Sequence, residues 1–487
     1  MGIIDLVNVN YSYSQGGKPA LQDINLSVTE GEFLAVMGEN TAGKTTFCRL
    51  LNGIIPHLIK GGQLSGTVTV DGQCTSGSSV PELAFKTGMV LDDPDVQAFT
   101  SSVFQEVAFG PENILLPPDE IIERVKLALS LVGLDGFEDR LPSTLSGGER
   151  QRLSIAAALA MKGKILVLDE PLCRLDPEGA AEVMAVLKDI RKKHHITIVM
   201  ATHDSEKIIE FADRVCILNN GKITALDTAE NIFENNALLE ANGIEPVKIT
   251  RENNHGGHGE HRGNIEYSRA TTPDNNNCIN SAVNIKNISF LYPGGTGIKN
   301  INIDIMENDF AAIIGKNGCG KTTLLKCITG LLRPCEGDIY IHGKNTKDLK
   351  VSDISKEAGF VMQNPDNQLF TDSVYKEAAF ALKNKRLSKN EIKQRVKDAL
   401  EIVGLYDMDA FPHALSRSDR AKTVIACVLA MGCKILIFDE VDVGSDYSTR
   451  IKIMDIMRDL HKKGFTIIFV THNMTLVEEY ALRVIKL

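Results

Sequence analysis

The sequence predicts an α/β fold repeated twice in one chain. Three observations predict it. Residues 34–46 (LAVMGENTAGKTT) match residues 311–323 (AAIIGKNGCGKTT), and the apolar run 165–170 (ILVLDE) matches 435–440 (ILIFDE). The order and spacing of these motifs also agree: Ser146 stands as far before Asp169 as Ser416 does before Asp439, and Ala201-Thr202-His203 recurs as Val470-Thr471-His472. Between the two kinds of motif each copy carries helical periodicity. Self-similarity at so long a period indicates duplication of a whole domain.

Composition is consistent with two globular units. A chain of 487 residues exceeds one ordinary core, and its 43% apolar and 24% charged content is that of a folded protein. The balance of 53 Lys and Arg against 63 Asp and Glu gives a net charge of −10, which argues against nucleic acid as a partner. No apolar run reaches the roughly 20 residues of a membrane-spanning helix, and segments such as Phe310–Ile314 and Ile435–Phe438 read as buried strands. The start, Met1-Gly2-Ile3-Ile4-Asp5, has no basic and apolar leader pattern, so a cytosolic location is expected. The ten cysteines include no C-x-x-C pair and are expected to be free thiols.

In chain order, the first domain is assigned to residues 1–246. It opens with alternating Ile24, Leu26 and Val28, a hairpin pattern matched by Ile301, Ile303 and Ile305 in the second copy. Ile121, Val125, Ala128, Leu129 and Val132 recur at helical spacing, as do Ile392, Val396, Ala399, Leu400 and Val403, the latter after a capping box, Ser388 to Glu391. Residues 247–281, rich in Asn, Gly and His, are assigned to a flexible linker. Its His255, His258 and His261 read as part of a solvated tether rather than a metal site. The second domain takes residues 282–487.

The chemistry sits in three motifs. Gly38-Glu39-Asn40-Thr41-Ala42-Gly43-Lys44-Thr45, followed by Thr46, and Gly315-Lys316-Asn317-Gly318-Cys319-Gly320-Lys321-Thr322, followed by Thr323, both fit the phosphate-binding loop pattern G-x-x-x-x-G-K-[ST]. Glycines let the backbone wrap phosphate oxygens, a helix N-terminus adds positive potential, and the lysine reaches the β- and γ-phosphates. Thr45 and Thr322 would hold Mg²⁺, with Asp169 and Asp439 orienting the ion from the ends of buried strands. Glu170 and Glu440, next in sequence, are placed to polarise an attacking water.

The segment Leu145-Ser146-Gly147-Gly148-Glu149-Arg150-Gln151-Arg152 resembles the signature of ATP-binding-cassette (ABC) ATPases, and the resemblance covers nearly all of the chain outside the linker. It implies two P-loop NTPase domains of ABC type, each a RecA-like core with an antiparallel β subdomain and a helical subdomain. It also implies that the signature of one domain closes over ATP held by the other's P-loop, in an intramolecular head-to-tail pair. Ser146, Gly147, Gly148 and Glu149 then contact nucleotide. Tyr13 and Tyr292 stack on adenine, and Asp176 and Asp446 lie in the loop between domains. His203 and His472 are switch histidines, and Gln363 senses the γ-phosphate and completes the Mg²⁺ set. Pro94-Asp95-Val96-Gln97, Phe109-Gly110-Pro111-Glu112-Asn113 and Pro365-Asp366-Asn367-Gln368-Leu369-Phe370 resemble energy-coupling factor (ECF) transporter ATPases, which power vitamin or transition-metal-ion uptake. The implied partners are a transmembrane coupling subunit and a membrane substrate-binding component, placing the chain on the cytoplasmic face of the cell membrane.

The copies differ at matching points. Asp92 stands where the second copy has Gln363, and Ser416-Arg417-Ser418-Asp419 stands opposite Ser146-Gly147-Gly148-Glu149. In a head-to-tail pair both departures fall in one composite site. The other site, with Lys321, Thr322, Gln363, Asp439, Glu440, His472 and the intact signature, is expected to hydrolyse ATP, and the altered site to bind ATP and turn over slowly. The alternative is that Lys44, Glu170 and His203 keep both sites working. At the level of the whole protein, the alternatives are a soluble tandem ABC protein acting on ribosomes or DNA, and a sugar-importer ATPase.

Overall fold

A computed structural model of the chain describes residues 2–92, 97–173, 175–247, 266–269, 280–385, 387–441 and 444–487. Two compact units result, one of Met1–Asn253 with Asp446–Ser448, the other of Asn254–Ser445 with Thr449–Leu487.

The first unit is organised by a six-stranded sheet in the order Lys222–Thr228, Arg214–Asn219, Phe33–Met37, Thr197–Ala201, Ile165–Asp169, Thr87–Val90. The last five strands run parallel, and only the outer Lys222–Thr228 is antiparallel to its neighbour. Strands of a parallel sheet are covered on both faces and read as unbroken apolar runs. Phe33–Met37, Ile165–Asp169 and Thr197–Ala201 are accordingly buried at every position. Successive side chains point to opposite faces. Phe33, Ala35 and Met37 pack with the helical residues Leu129 and Leu153, whereas Leu34 and Val36 pack with Ile4, Leu6, Leu21 and Ile24. The latter belong to a four-stranded antiparallel sheet ordered Leu21–Val28, Ile4–Ser12, Gln63–Val70, Gln73–Cys74.

The second unit repeats the plan. Its six strands are ordered Glu266–Arg269, Arg483–Lys486, Phe310–Ile314, Thr466–Val470, Ile435–Asp439, Ala358–Val361, all parallel. The predicted helices are Pro118–Leu131, which buries Ile121, Val125, Ala128 and Leu129, and Lys389–Ile402, which buries Val396, Ala399 and Leu400. The capping box of Ser388 and Glu391 is formed. Among the described residues no helix is long and apolar enough to cross a membrane, and the nine described cysteines are free thiols.

Within the expected linker, His255, His258 and His261 lie outside the described residues, as do Pro94, Asp95 and Val96. Four linker residues, Glu266–Arg269, form a strand beside Arg483–Lys486. They take the edge position that Lys222–Thr228 takes in the first unit. An open sheet edge offers unpaired main-chain groups, and pairing through the main chain needs no side-chain periodicity, so a pattern search passes over it.

Each unit also buries a glutamate that fastens the loop leading into its helical region. Glu377 Oε2 accepts from the amides of Phe370 (3.1 Å) and Thr371 (2.8 Å) and from Thr371 Oγ1 (2.8 Å). Glu106 Oε2 does the same for Phe99, Thr100 and Thr100 Oγ1. Losing a buried charged acceptor costs about 2–3 kcal/mol. Glu377→Ala is therefore expected to speed amide exchange at Phe370 and Thr371 by roughly 30- to 100-fold, at about 1.4 kcal/mol per factor of ten. Hydrogen–deuterium exchange read by mass spectrometry checks this, with the Phe99–Thr100 peptide unchanged.

Candidate functional site

The topology brings the chemical residues to one end of each parallel sheet. The phosphate-binding loop leaves the C-terminal end of Phe33–Met37, Glu170 follows Ile165–Asp169, and His203 follows Thr197–Ala201. Ligands of open parallel sheets bind at this end. In the second unit the loop follows Phe310–Ile314, Glu440 follows Ile435–Asp439, and His472 follows Thr466–Val470.

The loops need their glycines. A Cβ on Gly38 (φ 148°) would fall 2.1 Å from the Leu218 carbonyl oxygen, and one on Gly43 (φ 110°) 2.7 Å from the Ala20 carbonyl oxygen. Each loop encloses its lysine. Lys44 Nζ donates to the carbonyls of Gly38 (2.8 Å) and Glu39 (3.1 Å), and Lys321 Nζ to those of Gly315 (3.0 Å) and Lys316 (3.1 Å). Thr45 Oγ1 donates to Asp169 Oδ1 at 3.2 Å, and Thr322 Oγ1 to Asp439 Oδ1 at 3.1 Å. Thr46 and Thr323 are buried next to them and contact the hydroxyls of Tyr13 (2.9 Å) and Tyr292 (3.4 Å). Both tyrosine rings stay exposed. Asn40 is half-buried, and Asn317 and Gly318 are exposed on the rim of their loop.

The two acids at each strand end differ in electrostatics. Burial pushes Asp169 and Asp439 up to about 6, against the smaller opposing pull of the threonine hydroxyl. Glu170 also pays for burial, but His203 and Lys44 outweigh it and hold the carboxyl down to about 2. Glu440 is lowered likewise by His472 and Lys321 against the effect of burial. Both glutamates sit in the left-handed region, at φ 49° and 46°. For a residue with a Cβ this conformation costs of order 1 kcal/mol, and here it turns the carboxylate out of the strand line toward the lysine.

The two sites then diverge. Glu440 Oε2 accepts from Gln363 Nε2 (3.1 Å) and Oε1 from His472 Nε2 (3.1 Å), with Lys321 Nζ 3.7 Å away. Glu170 has the matching lysine and histidine, Lys44 Nζ at 3.3 Å and His203 Nδ1 at 2.9 Å. In place of the glutamine stands Asp92, whose charge helps to raise Asp169. A threonine hydroxyl and an aspartate supply hard oxygen ligands suited to a divalent cation. Among the described residues no cluster of three His, Cys, Asp or Glu could hold a metal alone, so an ion here would draw its other ligands from water and phosphate.

The signature turns are separate constructions. Ser146 caps the helix Gly147–Leu159 in a capping box, its amide donating to Glu149 Oε2 (2.7 Å) and the Glu149 amide to Ser146 Oγ (3.2 Å). In the second unit the shorter Asp419 accepts the Ser416 hydroxyl instead, at 2.9 Å. The Arg417 guanidinium lies over Gly444, where a Cβ would meet Nη1 at 2.8 Å. Asp176 caps the helix Pro177–His194 through the Gly179 amide at 2.8 Å.

Three residues that the sequence offered only as part of a family resemblance, Gln97, Gln368 and Asp366, turn out to be supports. Gln97 and Gln368 clamp the strand ends before them, each accepting from one backbone amide and donating to one carbonyl. Asp366 receives both oxygens' worth of bonding from Arg420 Nη1, at 2.7 and 2.9 Å. The repeated placement of Gln and Asp in the two copies was the available signal.

The family model described as ABC transporter matches residues 21–173 and 298–442. A relative named as an ABC transporter ATP-binding protein, from Caldanaerobacter subterraneus subsp. tengcongensis, is 35% identical over 96% of this chain and 87% of its own length. Another of that description, from Methanosarcina mazei, is 34% identical over all of this chain and 93% of its own. Among solved structures, cbiO1 from Clostridium perfringens, described as part of the ABC transporter complex cbiONQ, is 35% identical over 49% of this chain and 94% of its own, with a TM-score of 0.45.

The strand-end acids predict a pH dependence. The folded value of about 6 for Asp169 and Asp439 lies above the ordinary 3.8, so the folded state binds these protons more tightly. Their stabilising contribution is complete below pH ~4 and is lost as pH rises through about 6. Glu170, lowered from 4.5 to about 2, contributes the reverse, stability present above pH ~4.5 and lost toward 2. Carboxyl ¹³C NMR of nucleotide-free protein should show the two aspartates titrating near 6 and Glu170 ionised throughout the range above 4. Asp169→Asn should reduce the loss of thermal stability between pH 5 and 7, read by thermal melts across that range.

Proposed function

This chain belongs to the ABC transporter ATP-binding family, and from that footing we propose that it is the energy-coupling subunit of an ECF-type importer, with ATP hydrolysed chiefly at the second P-loop. The family assignment means that the chain binds and hydrolyses ATP. The finer reading rests on one observation, the Gln363 amide that donates to Glu440 where the first copy sets the charge of Asp92 beside Asp169.

Glu440 stays ionised and is a hydrogen-bond acceptor only, so it can take a proton-bearing water as well as its fixed donors. His472 and Gln363 orient the carboxylate, and Lys321 is placed to exchange a carbonyl or carboxylate partner for a phosphate oxygen. Thr322 and Asp439, with Gln363 nearby, would hold Mg²⁺, which when bound neutralises phosphate charge. In the head-to-tail pairing that the family resemblance implies, this site receives Ser146, Gly147, Gly148 and Glu149. The first P-loop receives Ser416, Arg417 and Ser418 instead, where the serine hydroxyl is already donated to Asp419. Losing one preorganised donor to developing charge costs about 2.7–4 kcal/mol, so the first site holds ATP and turns over slowly.

Coupling to membrane subunits is favoured by two exposed aromatic pairs that follow Asp92 and Gln363 in sequence. Phe99 and Phe109 meet edge to face at 4.9 Å, and Phe370 and Phe380 at 4.7 Å. Phe99 and Phe370 are 65% and 62% exposed, which makes them apolar surface suited to a partner.

Two measurements test this reading. Glu440→Gln is expected to lower steady-state ATPase activity by about 10²–10³, in the range of a lost general base, whereas Glu170→Gln lowers it only a few-fold. Equal residual rates would defeat the asymmetry. Purification from detergent-solubilised membranes should bring down hydrophobic subunits in fixed ratio, and recovery with ribosomes or DNA instead would overturn the transport reading.

A further inference from the structure

The first unit carries a recess of about 400 Å³ at the end of the sheet away from the P-loop. It opens at the start of the strand Phe33–Met37, whose other end leads into the loop, so roughly 16 Å of strand separates the two places. The recess borders Phe33, whose side chain is buried in the core, and Phe211, which is half-buried; the rim carries Lys188, Arg191, Lys192 and His195, with Glu210 as the one acid.

These side chains have different jobs. Arg191 is fully engaged in holding the walls: Nε donates to the Gly31 carbonyl at 2.9 Å, Nη1 to the Phe211 carbonyl at 3.4 Å, and Nη2 pairs with Asp213 Oδ2 at 2.5 Å. Asp213 also accepts from the Phe33 amide at 2.8 Å. Lys188 and Lys192 are exposed and lie one helical turn apart, an arrangement of like charges that disfavours the helix. Lys188 leans over the Phe211 ring, Nζ 5.4 Å from its centre.

Comparison with the second unit separates this arrangement from ordinary helix-end charge. There His461 takes the place of Arg191 and contacts the Asn308 carbonyl at 2.8 Å. Arg458 takes the place of Lys188 over Tyr480, at 5.4 Å, but it is neutralised by Asp455 at 2.5 Å, and the Tyr480 hydroxyl donates to the same carboxylate at 3.2 Å. The first unit has Ala185 where Asp455 would stand. The helix also ends differently. His195 closes it in the left-handed region (φ 53°), where the second unit has Gly464 (φ 85°). Glycine serves that position without strain, whereas His195 carries a Cβ in the left-handed region and lines the rim.

We propose that this recess is a binding site, confined to the first unit, for a small organic anion with a flat apolar body, such as an aromatic carboxylate, sulfonate or phosphate. The ring of Phe211, with the aliphatic stems of Lys188 and Lys192 beside it, takes the apolar body. Lys188, Lys192 and His195 take the anionic group, relieving the like-charge pair. Arg191 positions the walls and does not itself bind.

The probe is 8-anilinonaphthalene-1-sulfonate, titrated into the full chain with saturating Mg²⁺ and ATP so that the P-loops are occupied. Amine acetylation read by mass spectrometry should show Lys188 and Lys192 protected at least threefold by the probe. Lys193, which is exposed and paired with Asp189 at 2.7 Å, should label equally with and without it. A double variant, Lys188→Gln with Lys192→Gln, should weaken the fluorescence-monitored affinity about tenfold, and both positions are exposed, so folding is not at issue. Unchanged labelling, or an equal fall at all three lysines, would show diffuse attraction to a basic surface and overturn the site.

Discussion

A buried ammonium organises each nucleotide site. Lys44 and Lys321 are only 6% and 5% exposed, and a charge so placed is costly unless its donors are met. Two of the three donors are met by carbonyls of the lysine's own loop, and the third direction faces the glutamate at the end of another strand. The loop is thus wrapped around its own cation before any phosphate arrives. The same contact ties two strands together at their C-terminal ends and helps to keep the glutamate ionised. The positive φ of Glu170 and Glu440 belongs to this arrangement, because an acid continuing the strand's alternation would point elsewhere.

On that common frame a few side chains set the two copies apart. Gln363 has an amide to donate to Glu440, whereas Asp92 brings a third negative charge to Asp169 and Glu170. At the signature, Gly148 leaves room for backbone close to Gly179, with a Cβ there 3.3 Å from its Cα, while the second copy has the bulkier Ser418 and Thr449 at these positions. Arg417 replaces Gly147, and Gly444 replaces Arg174, so an arginine and a glycine trade places between the copies. The glycine leaves the space that the Arg417 guanidinium occupies. Nothing in the structure explains Val441 in place of Pro171.

The parts legible in the sequence were those written in residue type at fixed spacing. Buried parallel strands appear as apolar runs, amphipathic helices as 3.6-residue periodicity, and the loops as glycines before a lysine. The parts that were not legible depend on the main chain or on distant partners. The strand Glu266–Arg269 is joined through backbone bonds and leaves no apolar pattern. Glu106 and Glu377 look like ordinary helix glutamates until three donors from the preceding loop converge on them. The shift of the Ser416 hydroxyl to Asp419 follows from one missing methylene, which a motif comparison scores as a conservative change.

Divergence between the copies follows from what each region requires. At the C-terminal ends of the strands the chemistry depends on backbone amides, glycine conformations and acids placed to within a few tenths of an ångström, so the two loops keep the same hydrogen bonds almost distance for distance. A sheet edge has only to satisfy its main-chain groups, and it does so with an antiparallel strand in one unit and a parallel one in the other. The opposite end of the sheet has only to close the core. There the second unit closes it with an Arg458, Asp455 and Tyr480 triad, and the first with Arg191 and Asp213, leaving Lys188 and Lys192 without that acid. Duplication thus frees the far ends and edges to change without disturbing phosphate binding, because the central strands transmit position along their length and little else.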